Sequence, residues 1–240
     1  MNLTDAQWYN QLLISLPTDI GLRWKALIEP VHLTAGEVLA EMGEVLTHVY
    51  FPNTAIISLT HILDGGESIE VAMVGAEGVV GISVFLGSAT ASTRSVVLRS
   101  GLAYRLNAAF FKNAFQSSSD VMDIMLRYTQ SLLAHISQVS VCARHHSLNQ
   151  QLSRWLLHYS DKTHDRLVQC TQEQMSLTLG VRRERVVQVA KSFQNMGLIS
   201  YSRGVIEIHN KPKLRALTCE CYENIYAQNQ HSSFGAFMRS

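Results

Sequence analysis

The spacing of hydrophobic and polar residues changes at about residue 106, and the change divides the chain into two kinds of structure. Before it, short apolar runs alternate with turns, and nine of the fourteen glycines lie between positions 36 and 101. The runs AIISLTHIL and SIEVAMV flank residues 64–67 (DGGE), a typical hairpin turn. Within the second run the pattern predicts an inward face and an outward face, formed respectively by Ile69, Val71 and Met73 and by Glu70 and Ala72.

The runs RSVVLRS and LAYRL continue this rhythm to Leu106. Many short strands at regular spacing predict an antiparallel β-roll or barrel. Residues 4–14 and 18–28 have helical spacing and would flank this roll.

After Leu106 the spacing becomes helical. Residues 117–120 offer N-caps, and a run without Pro or Gly continues to about Arg144. Its apolar positions repeat at intervals of four and three residues, the heptad pattern of a helix that pairs with a second copy. The residues predicted to form this dimer seam are Val121, Met125, Tyr128, Leu132, His135 and Val139, followed by Cys142.

An alternative is that this helix packs on its own β-roll, because Leu126, Leu133 and Ile136 form a second apolar face. The two arrangements are compatible, with one face for the roll and the other for the partner. A shorter helix follows and ends near the run SDKTHDR, with its apolar side formed by Leu148, Leu152, Trp155 and Leu156.

The distribution of charge supports a division into two modules. The formal net charge is only +1, but residues 1–120 hold 6 basic and 11 acidic residues, whereas residues 121–240 hold 14 basic and 8 acidic ones. This asymmetry predicts a basic module that binds a partner, attached to an acidic regulatory or scaffold module. Chance is the alternative explanation. With 47% hydrophobic and 16% charged residues, the 240-residue chain has a globular composition.

Nothing in the sequence predicts secretion or a membrane span. The start MNLTDAQWYNQLL lacks a basic region followed by an apolar one, and the uncharged stretch Gly78–Thr93 is shorter than the ~20 apolar residues that a spanning helix needs. Four cysteines in a chain of this length do not predict a disulfide framework. We therefore expect a protein of the reducing cytoplasm.

Residues 171–204 carry the clearest functional pattern. TQEQ at 171–174 fits a capping box at the start of a short helix, and Gly180 permits a sharp turn after it. The next helix opens with the run GVRRERVVQVAK, in which three arginines oppose the helix dipole at a cost of about 0.3–1 kcal/mol. Its predicted packing stripe is Val186, Val189, Ala190 and Phe193.

Gly197 should end this helix, and the run LISYSRGVIEI beyond it predicts a hairpin. Helix, turn, helix and hairpin form the winged helix-turn-helix pattern, whose second helix enters the major groove of DNA. In the major groove, Arg pairs preferentially with guanine, Glu with cytosine and Gln with adenine. Each such pair discriminates against the wrong base by about 1–3 kcal/mol. The alternative is that the arginines at the start of this helix form only a solvated basic face. The predicted DNA contacts are Thr171, Gln172, Arg182, Arg183, Glu184, Arg185, Gln188, Lys191 and Arg203.

The motifs TQE at 171–173, LGVRRERV and LISYSRGVIEI resemble those of the CRP/FNR superfamily of bacterial transcription factors, and the resemblance extends from about residue 15 to residue 215. It implies an α+β fold with a cyclic-nucleotide-binding-like antiparallel β-roll, a long dimerisation helix and a winged helix-turn-helix. The corresponding parts are residues 1–116, 117–144 and 145–240, the last with a helical tail. By position, the family's base-reading Arg and Glu match Arg183 and Glu184. A third reader, usually Arg, falls on Gln188, which predicts a different operator half-site.

The resemblance also suggests what the roll lacks. Family members that bind a cyclic nucleotide place a glutamate on the ribose and an arginine on the phosphate, and the matching positions here are Ile82 and Ser92. Because a buried phosphodiester without a cation is costly, we do not expect control by cAMP or cGMP. Arg94 leaves a shifted site open, so a regulator gated by a nucleotide or a metal at a non-standard site is an alternative.

No cofactor is predicted. The family's iron–sulfur sensors use cysteines near the N-terminus, and none precedes Cys142. Cys142 and His146 from two copies could form a tetrahedral zinc site, but a buried thiol beside exposed histidines is the simpler interpretation. For Cys219 and Cys221 a metal or redox pair is conceivable, whereas two near-surface cysteines are the simpler expectation.

A catalytic function is not expected, because the sequence has no Gly-rich phosphate loop, HExxH motif or nucleophile elbow. We expect a homodimer that binds double-stranded DNA at an inverted repeat, with half-sites about one helical turn (~34 Å) apart. RNA polymerase is a further candidate partner. The alternative is a protein-interaction module built on a winged-helix scaffold.

Overall fold

The computed structural model describes residues 8–232, so the predicted helix at 4–14 lies partly outside the described residues. Its visible part is a single turn held by Asn10, whose side chain accepts hydrogen bonds from the backbone N–H groups of Leu12 and Leu13. The second predicted helix is present over a shorter span. These two helices are α1 (Gln11–Ile14) and α2 (Thr18–Lys25).

The antiparallel roll predicted for the N-terminal half is confirmed. Its strands are β1 (Glu29–Leu33), β2 (Val38–Ala40), β3 (His48–Pro52), β4 (Ile56–Ile62), β5 (Ser68–Val74), β6 (Arg94–Arg99) and β7 (Gly101–Asn107). They form a three-stranded sheet in the order β1-β7-β3 and a four-stranded sheet in the order β2-β6-β4-β5. The predicted hairpin joins β4 to β5, and its turn is closed by the Leu63 N–H to Glu67 carbonyl bond of 2.8 Å.

Aromatic side chains fill the core of the roll. Trp24, Phe51 and Phe111 are at most 2% exposed and meet edge to face, with ring centroids 5.8–6.1 Å apart. Phe85 extends the cluster at 5.6 Å from Phe111. Edge-to-face pairs contribute about 0.5–1.5 kcal/mol beyond the burial of their area, so this cluster anchors α2 and a following helix, α3 (Ala108–Ser117), to the strands.

The long helix predicted after residue 117 is confirmed as α4 (Ser119–His145). The next helix, α5 (Leu148–Thr163), begins with a capping box that the sequence analysis did not identify, formed by Ser147 and Gln150. Its predicted apolar side is buried, since Leu148, Leu152, Trp155 and Leu156 are at most 8% exposed.

The C-terminal part has the predicted two helices and hairpin and three further elements. In order they are β8 (Leu167–Gln169), α6 (Gln172–Leu179), α7 (Arg183–Asn195), β9 (Ile199–Ser202), β10 (Val205–Ile208), α8 (Lys211–Ala216) and α9 (Glu220–Ser232). β8 was not predicted; it pairs antiparallel with β10 and makes the hairpin a three-stranded sheet, β8-β10-β9.

The predicted alternation in β5 is wrong at Glu70. Glu70 and Ala72 are 7% and 1% exposed, whereas Ile69 and Val71 are only half-buried. The inward position of Glu70 is compensated by a hydrogen bond from Trp155 Nε1 at 2.9 Å. A polar residue at an alternating position therefore does not mark the solvent face when a buried donor meets it.

The described residues divide into two compact units. One holds residues 8–59 and 73–133, and the other, called the C-terminal unit below, holds residues 60–72 and 134–228. Among the described helices, none has an apolar stretch long enough to cross a membrane.

Candidate nucleic-acid interface

The capping box predicted at residues 171–174 is present. The Thr171 hydroxyl accepts a hydrogen bond from the Gln174 N–H at 3.1 Å, and the Thr171 N–H donates to Gln174 Oε1 at 2.8 Å. At the other end of α6, Gly180 has φ 63°, a left-handed conformation that glycine adopts without the strain that a Cβ introduces. The Ser176 hydroxyl then donates to the Val181 carbonyl at 2.9 Å and fixes the turn. These local bonds set where α7 begins.

One face of α7 anchors the helix and the other is exposed. The predicted packing stripe is buried, since Val186, Val189, Ala190 and Phe193 are at most 9% exposed. Gly197 follows the helix with φ 67°, as predicted for its C-terminal stop. The polar face is solvent-exposed at Arg182, Arg183, Glu184, Arg185, Gln188 and Lys191.

The start of α7 lacks a side-chain cap. Arg182 occupies the N-cap position and its side chain accepts no hydrogen bond from the helix. The Arg185 N–H donates to the Arg182 carbonyl at 3.1 Å, but no side-chain oxygen caps the first turn, where helical N–H groups lack partners within the helix. The N-terminus of α7 therefore combines backbone donors, the positive end of the helix dipole and exposed guanidinium groups. This combination is suited to binding phosphates and the edges of bases.

The hairpin beyond α7 carries a further cation at its tip. Its two-residue turn is Arg203–Gly204, with φ of 49° and 80°, the positive values that a tight antiparallel hairpin turn requires. Arg203 is exposed there. Of the two predicted contacts at the start of α6, Thr171 is exposed and Gln172 is half-buried.

The predicted dimer seam is buried within the single chain. Val121, Met125, Tyr128, Leu132, His135 and Val139 are each at most 7% exposed. Two of these six side chains contact other parts of the same chain. The Tyr128 hydroxyl donates to the Val79 carbonyl at 3.0 Å, and the His135 ring lies 6.1 Å from that of His158. These side chains already pack against their own chain, so the assignment of the seam to a partner is corrected.

The exposed apolar residues of α4 lie on its other face. Leu126, Leu133 and Val141 are 45–53% exposed. Their spacing of seven and eight residues places them along one side of the helix. Leu126 and Leu133 belong to the second apolar face predicted from the sequence, and the described residues 8–232 leave both of them exposed.

The positions that match the family's cyclic-nucleotide residues carry no charge. Ile82 begins a 3₁₀ turn, Ile82–Val84, and Ser92 is exposed. Arg94, the candidate for a shifted site, forms an ion pair with Glu41 at 3.0 Å. This arginine therefore has a carboxylate neighbour that competes with any phosphate.

Four potential metal ligands from distant parts of the sequence meet in the C-terminal unit. Cys142 Sγ lies 3.6 Å from Cys219 Sγ, and Cys221 Sγ lies 3.4 Å from His146 Nδ1. The expectation of near-surface cysteines is wrong, since Cys219 and Cys221 are 5% and 0% exposed. Burial raises the pKa of the Cys142, Cys219 and Cys221 thiols.

Each of the two ligand pairs was a separate metal candidate in the sequence, and the structure brings them together. The spacings C-x₃-H and C-x-C are visible in the sequence. Whether the two motifs come together in space depends on the path of the chain through α8. The combination of two short ligand motifs is the signal that could have identified the cluster.

Two family models match this chain. A cyclic nucleotide-binding domain matches residues 30–118, and a Crp-like helix-turn-helix domain matches residues 150–217. Together they span well over half of the chain, in the order that the roll, long helix and winged helix require. The chain belongs to the CRP/FNR family of transcriptional regulators, which are DNA-binding proteins and not enzymes.

Solved structures share the fold at low sequence identity. A regulator described as a CRP/FNR family member from Eubacterium rectale is 17% identical with a TM-score of 0.71, and the match covers 88% of this chain and 99% of that one. FixK2 from Bradyrhizobium japonicum is 13% identical with a TM-score of 0.69, covering 80% and 98%.

The c-di-GMP responsive global regulator CLP from Xanthomonas campestris is 14% identical with a TM-score of 0.67, covering 81% of this chain and 100% of that one. No curated protein sequence is significantly similar to this chain. The structural matches therefore establish the fold, and the details of recognition depend on this chain's own residues.

Proposed function

We propose that this chain is a sequence-specific transcriptional regulator that acts as a homodimer on an inverted-repeat operator. The observation that carries the proposal is the exposed start of α7, which lacks a side-chain cap and carries Arg182, Arg183 and Arg185. In isolation this clustering of like charges at a positive helix end is unfavourable, by about 0.3–1 kcal/mol. Next to DNA the same charges and the helix dipole act in one direction, which explains their position.

Base recognition is assigned to three exposed side chains of α7. Arg183 and Glu184 stand in its first turn, and Gln188 lies one turn further along the same face. Guanidinium on guanine, carboxylate on cytosine and amide on adenine are the favoured pairings. Gln188 in place of a third arginine therefore favours an adenine in the half-site. Thr171, Gln172, Arg182, Arg185, Lys191 and Arg203 are assigned to the phosphate backbone.

Dimerisation is assigned to the exposed face of α4. Leu126, Leu133 and Val141 offer exposed apolar side chains at intervals of seven and eight residues on a 27-residue helix, which a parallel copy of the same helix would bury. A two-fold dimer presents two copies of α7 about one DNA turn (~34 Å) apart and so recognises an inverted repeat. A regulator that binds the chromosome acts in the cytoplasm, and RNA polymerase stays a candidate partner.

The proposal includes independence from cAMP. Ile82 and Ser92 supply neither the carboxylate nor the cation for a ribose phosphate, and Arg94 is paired with Glu41. DNA affinity should therefore be unchanged by saturating cAMP, cGMP or c-di-GMP. A specific increase in affinity with any one of them would instead support the effector-gated alternative.

The proposal is tested by selecting operators with the purified full chain and then measuring single-base variants of the best site. Arg183→Ala should reduce the preference for one base pair in each half-site by about 1–3 kcal/mol, roughly 5- to 150-fold. Arg23→Ala removes an equally exposed arginine from α2 and serves as the matched control. Footprints unchanged in Arg183→Ala, or the absence of any selected operator, would favour a protein-interaction module instead.

A further inference from the structure

We propose that each chain binds one zinc ion through three thiolates and one imidazole, those of Cys142, Cys219, Cys221 and His146. The site would connect the end of α4 to the start of α9. It does not depend on the proposed DNA recognition, because none of its residues belongs to the exposed surface of α7.

The distances between these groups suit a single tetrahedral ion. With Zn–S of about 2.3 Å and Zn–N of about 2.0–2.1 Å, a tetrahedron has S–S edges of ~3.8 Å and S–N edges of ~3.5 Å. The Cys142–Cys219 sulfur pair is at 3.6 Å and the Cys221–His146 pair at 3.4 Å. All four ligand atoms lie within 4.8 Å of one another, so a contraction of about 1 Å closes the widest edge.

The chain supplies these ligands in two short, rigid pieces. Cys142 and His146 are one helical turn apart at the end of α4, and the His146 N–H donates to the Cys142 carbonyl at 3.1 Å. Cys219 and Cys221 flank Glu220 at the start of α9, and the Tyr222 N–H donates to the Cys219 carbonyl at 3.1 Å. Ligands that are already placed by helical hydrogen bonds lose little conformational entropy when the ion binds.

Neighbouring residues already orient the proposed ligands. His146 presents Nδ1 to Cys221 and places Nε2 3.3 Å from Glu220 Oε1. A histidine that binds zinc through one nitrogen typically donates its other N–H to a carboxylate, which fixes the ring and its tautomer. Gln138 Nε2 donates to Cys221 Sγ at 3.1 Å, and the Cys221 backbone N–H points to the Cys219 sulfur. Such donors stabilise thiolates.

The charge around the cluster also matches a zinc–thiolate centre. Zn²⁺ with three thiolates carries a net charge of −1. Arg154 is 6% exposed and its guanidinium lies beside Cys142. Within the described residues 8–232, its Nε has no hydrogen-bond partner. A neutral Cys142 thiol gives this buried guanidinium no counter-charge, whereas an anionic zinc–thiolate centre would.

Zinc fits better than a disulfide or a redox-active cluster. A disulfide needs sulfur atoms about 2.05 Å apart, and Cys142 and Cys219 are 3.6 Å apart. Three cysteines and a histidine in a tight tetrahedral set form a closed structural site, with no position left open for substrate. The consequence would be local: zinc fixes the C-terminal helix to the end of α4.

The first test measures metal directly on the full-length protein. Wild-type protein purified without chelator should contain one zinc per chain by elemental analysis, independent of protein concentration. Replacement by Co²⁺ should produce the visible d–d absorption and near-ultraviolet sulfur-to-metal charge transfer of a tetrahedral thiolate site. Zinc should also protect three of the four cysteines from a thiol reagent in the native state.

Variants then assign the ligands. Cys142→Ala, Cys219→Ala and Cys221→Ala should each weaken zinc affinity by at least 100-fold. Glu220→Gln should retain the ion with an affinity about 10-fold lower, because it removes only the partner of His146. Cys170→Ala is the matched control, since Cys170 is buried outside the cluster, and it should keep full zinc content.

Wild-type protein that is folded by circular dichroism but binds neither Zn²⁺ nor Co²⁺ would overturn the proposal. So would a Cys142–Cys219 disulfide in protein purified under reducing conditions, or iron with the absorption of an iron–sulfur cluster. One zinc per two chains would point to a shared site and would also contradict it.

Discussion

Trp155 and Glu70, 85 positions apart in the sequence, are joined by a hydrogen bond of 2.9 Å from the indole Nε1 to the carboxyl Oε1. Both side chains are buried, at 2% and 7% exposure. Glu70 lies in β5 and Trp155 in α5, and both belong to the C-terminal unit. The same unit contains the Ser68 hydroxyl, which donates to the Leu177 carbonyl of α6 at 3.0 Å. Residues 60–72 therefore contact α5 and α6, the helices that pack beside α7.

Trp155→Phe should destabilise the C-terminal unit. The substitution keeps an aromatic ring but removes the indole N–H that donates a hydrogen bond to the buried Glu70 carboxyl. This loss should lower the free energy of unfolding by about 1–3 kcal/mol. Denaturant unfolding followed by circular dichroism measures it. In a Glu70→Leu background the same Trp155→Phe change should cost much less. An equal cost in both backgrounds would show that lost packing, not the hydrogen bond, is responsible.

Glu70 also shows where sequence patterns stop being sufficient. Alternation along β5 correctly indicated a strand but assigned Glu70 to the solvent, because the pattern contains no information about the indole that approaches from α5. The elements with local signals were predicted well: the capping box at Thr171, the turn at Gly180 and the packing stripe ending at Phe193 all depend on residues within a few positions of one another.

For the long helix α4, local sequence patterns were again sufficient for the element but not for its contacts. Its length and limits follow from local signals, whereas the heptad pattern could not tell whether Val121 and Met125 face a partner or their own chain. Both environments bury apolar side chains equally well. The cysteine cluster likewise required two segments 77 positions apart to meet, as Cys142 and Cys219 do, which no periodicity within either segment encodes.

Leu133→Glu should weaken the proposed dimer. Leu133 is 53% exposed in the single chain, so a charged residue there leaves the fold of the chain intact but is costly to bury between two copies of α4. Sedimentation velocity over a range of concentrations should show a shift towards monomer. Leu22→Glu, at a 62% exposed position of α2, is the matched control and should sediment as the wild type does. A dimer unchanged by Leu133→Glu would exclude this face as the interface.

Arg203 at the hairpin tip should contribute affinity without selectivity. Arg203→Asn removes the charge with a residue that tolerates the left-handed φ of 49°, so the turn is preserved. In Arg203→Asn the affinity for all DNA sequences should fall about equally. The slope of log affinity against log salt concentration should fall by about 1 in magnitude. Arg203→Lys keeps the charge and should keep the slope. A selective loss at one base pair would instead place Arg203 on a base edge.

The stability of the C-terminal unit should decrease as the pH falls below neutrality, and His135 should account for part of the decrease. Burial lowers the pKa of His135 to about 3, and the positive charges of Lys162 and Arg154 act in the same direction. His158, whose ring faces His135 from α5, has its pKa lowered by burial and by Arg154 as well. His135 is therefore neutral in the folded chain at pH 5.5, whereas an unfolded histidine, with a pKa of about 6.5, is mostly protonated there.

Since the unfolded chain binds the proton first, stability is retained above about pH 7.5 and is lost as the pH falls through 6.5. Between pH 7.5 and 5.5 one such histidine should cost about 1.4 kcal/mol, and His135→Leu should abolish that share of the pH dependence. Denaturant unfolding at the two pH values measures the difference. Leu63→Ala, at a 65% exposed position of the same unit, changes no titrating group and is the control that should keep the wild-type dependence. Other titrating groups are common to all three proteins, so an identical pH dependence in His135→Leu and wild type would show that His135 takes up its proton in the folded chain.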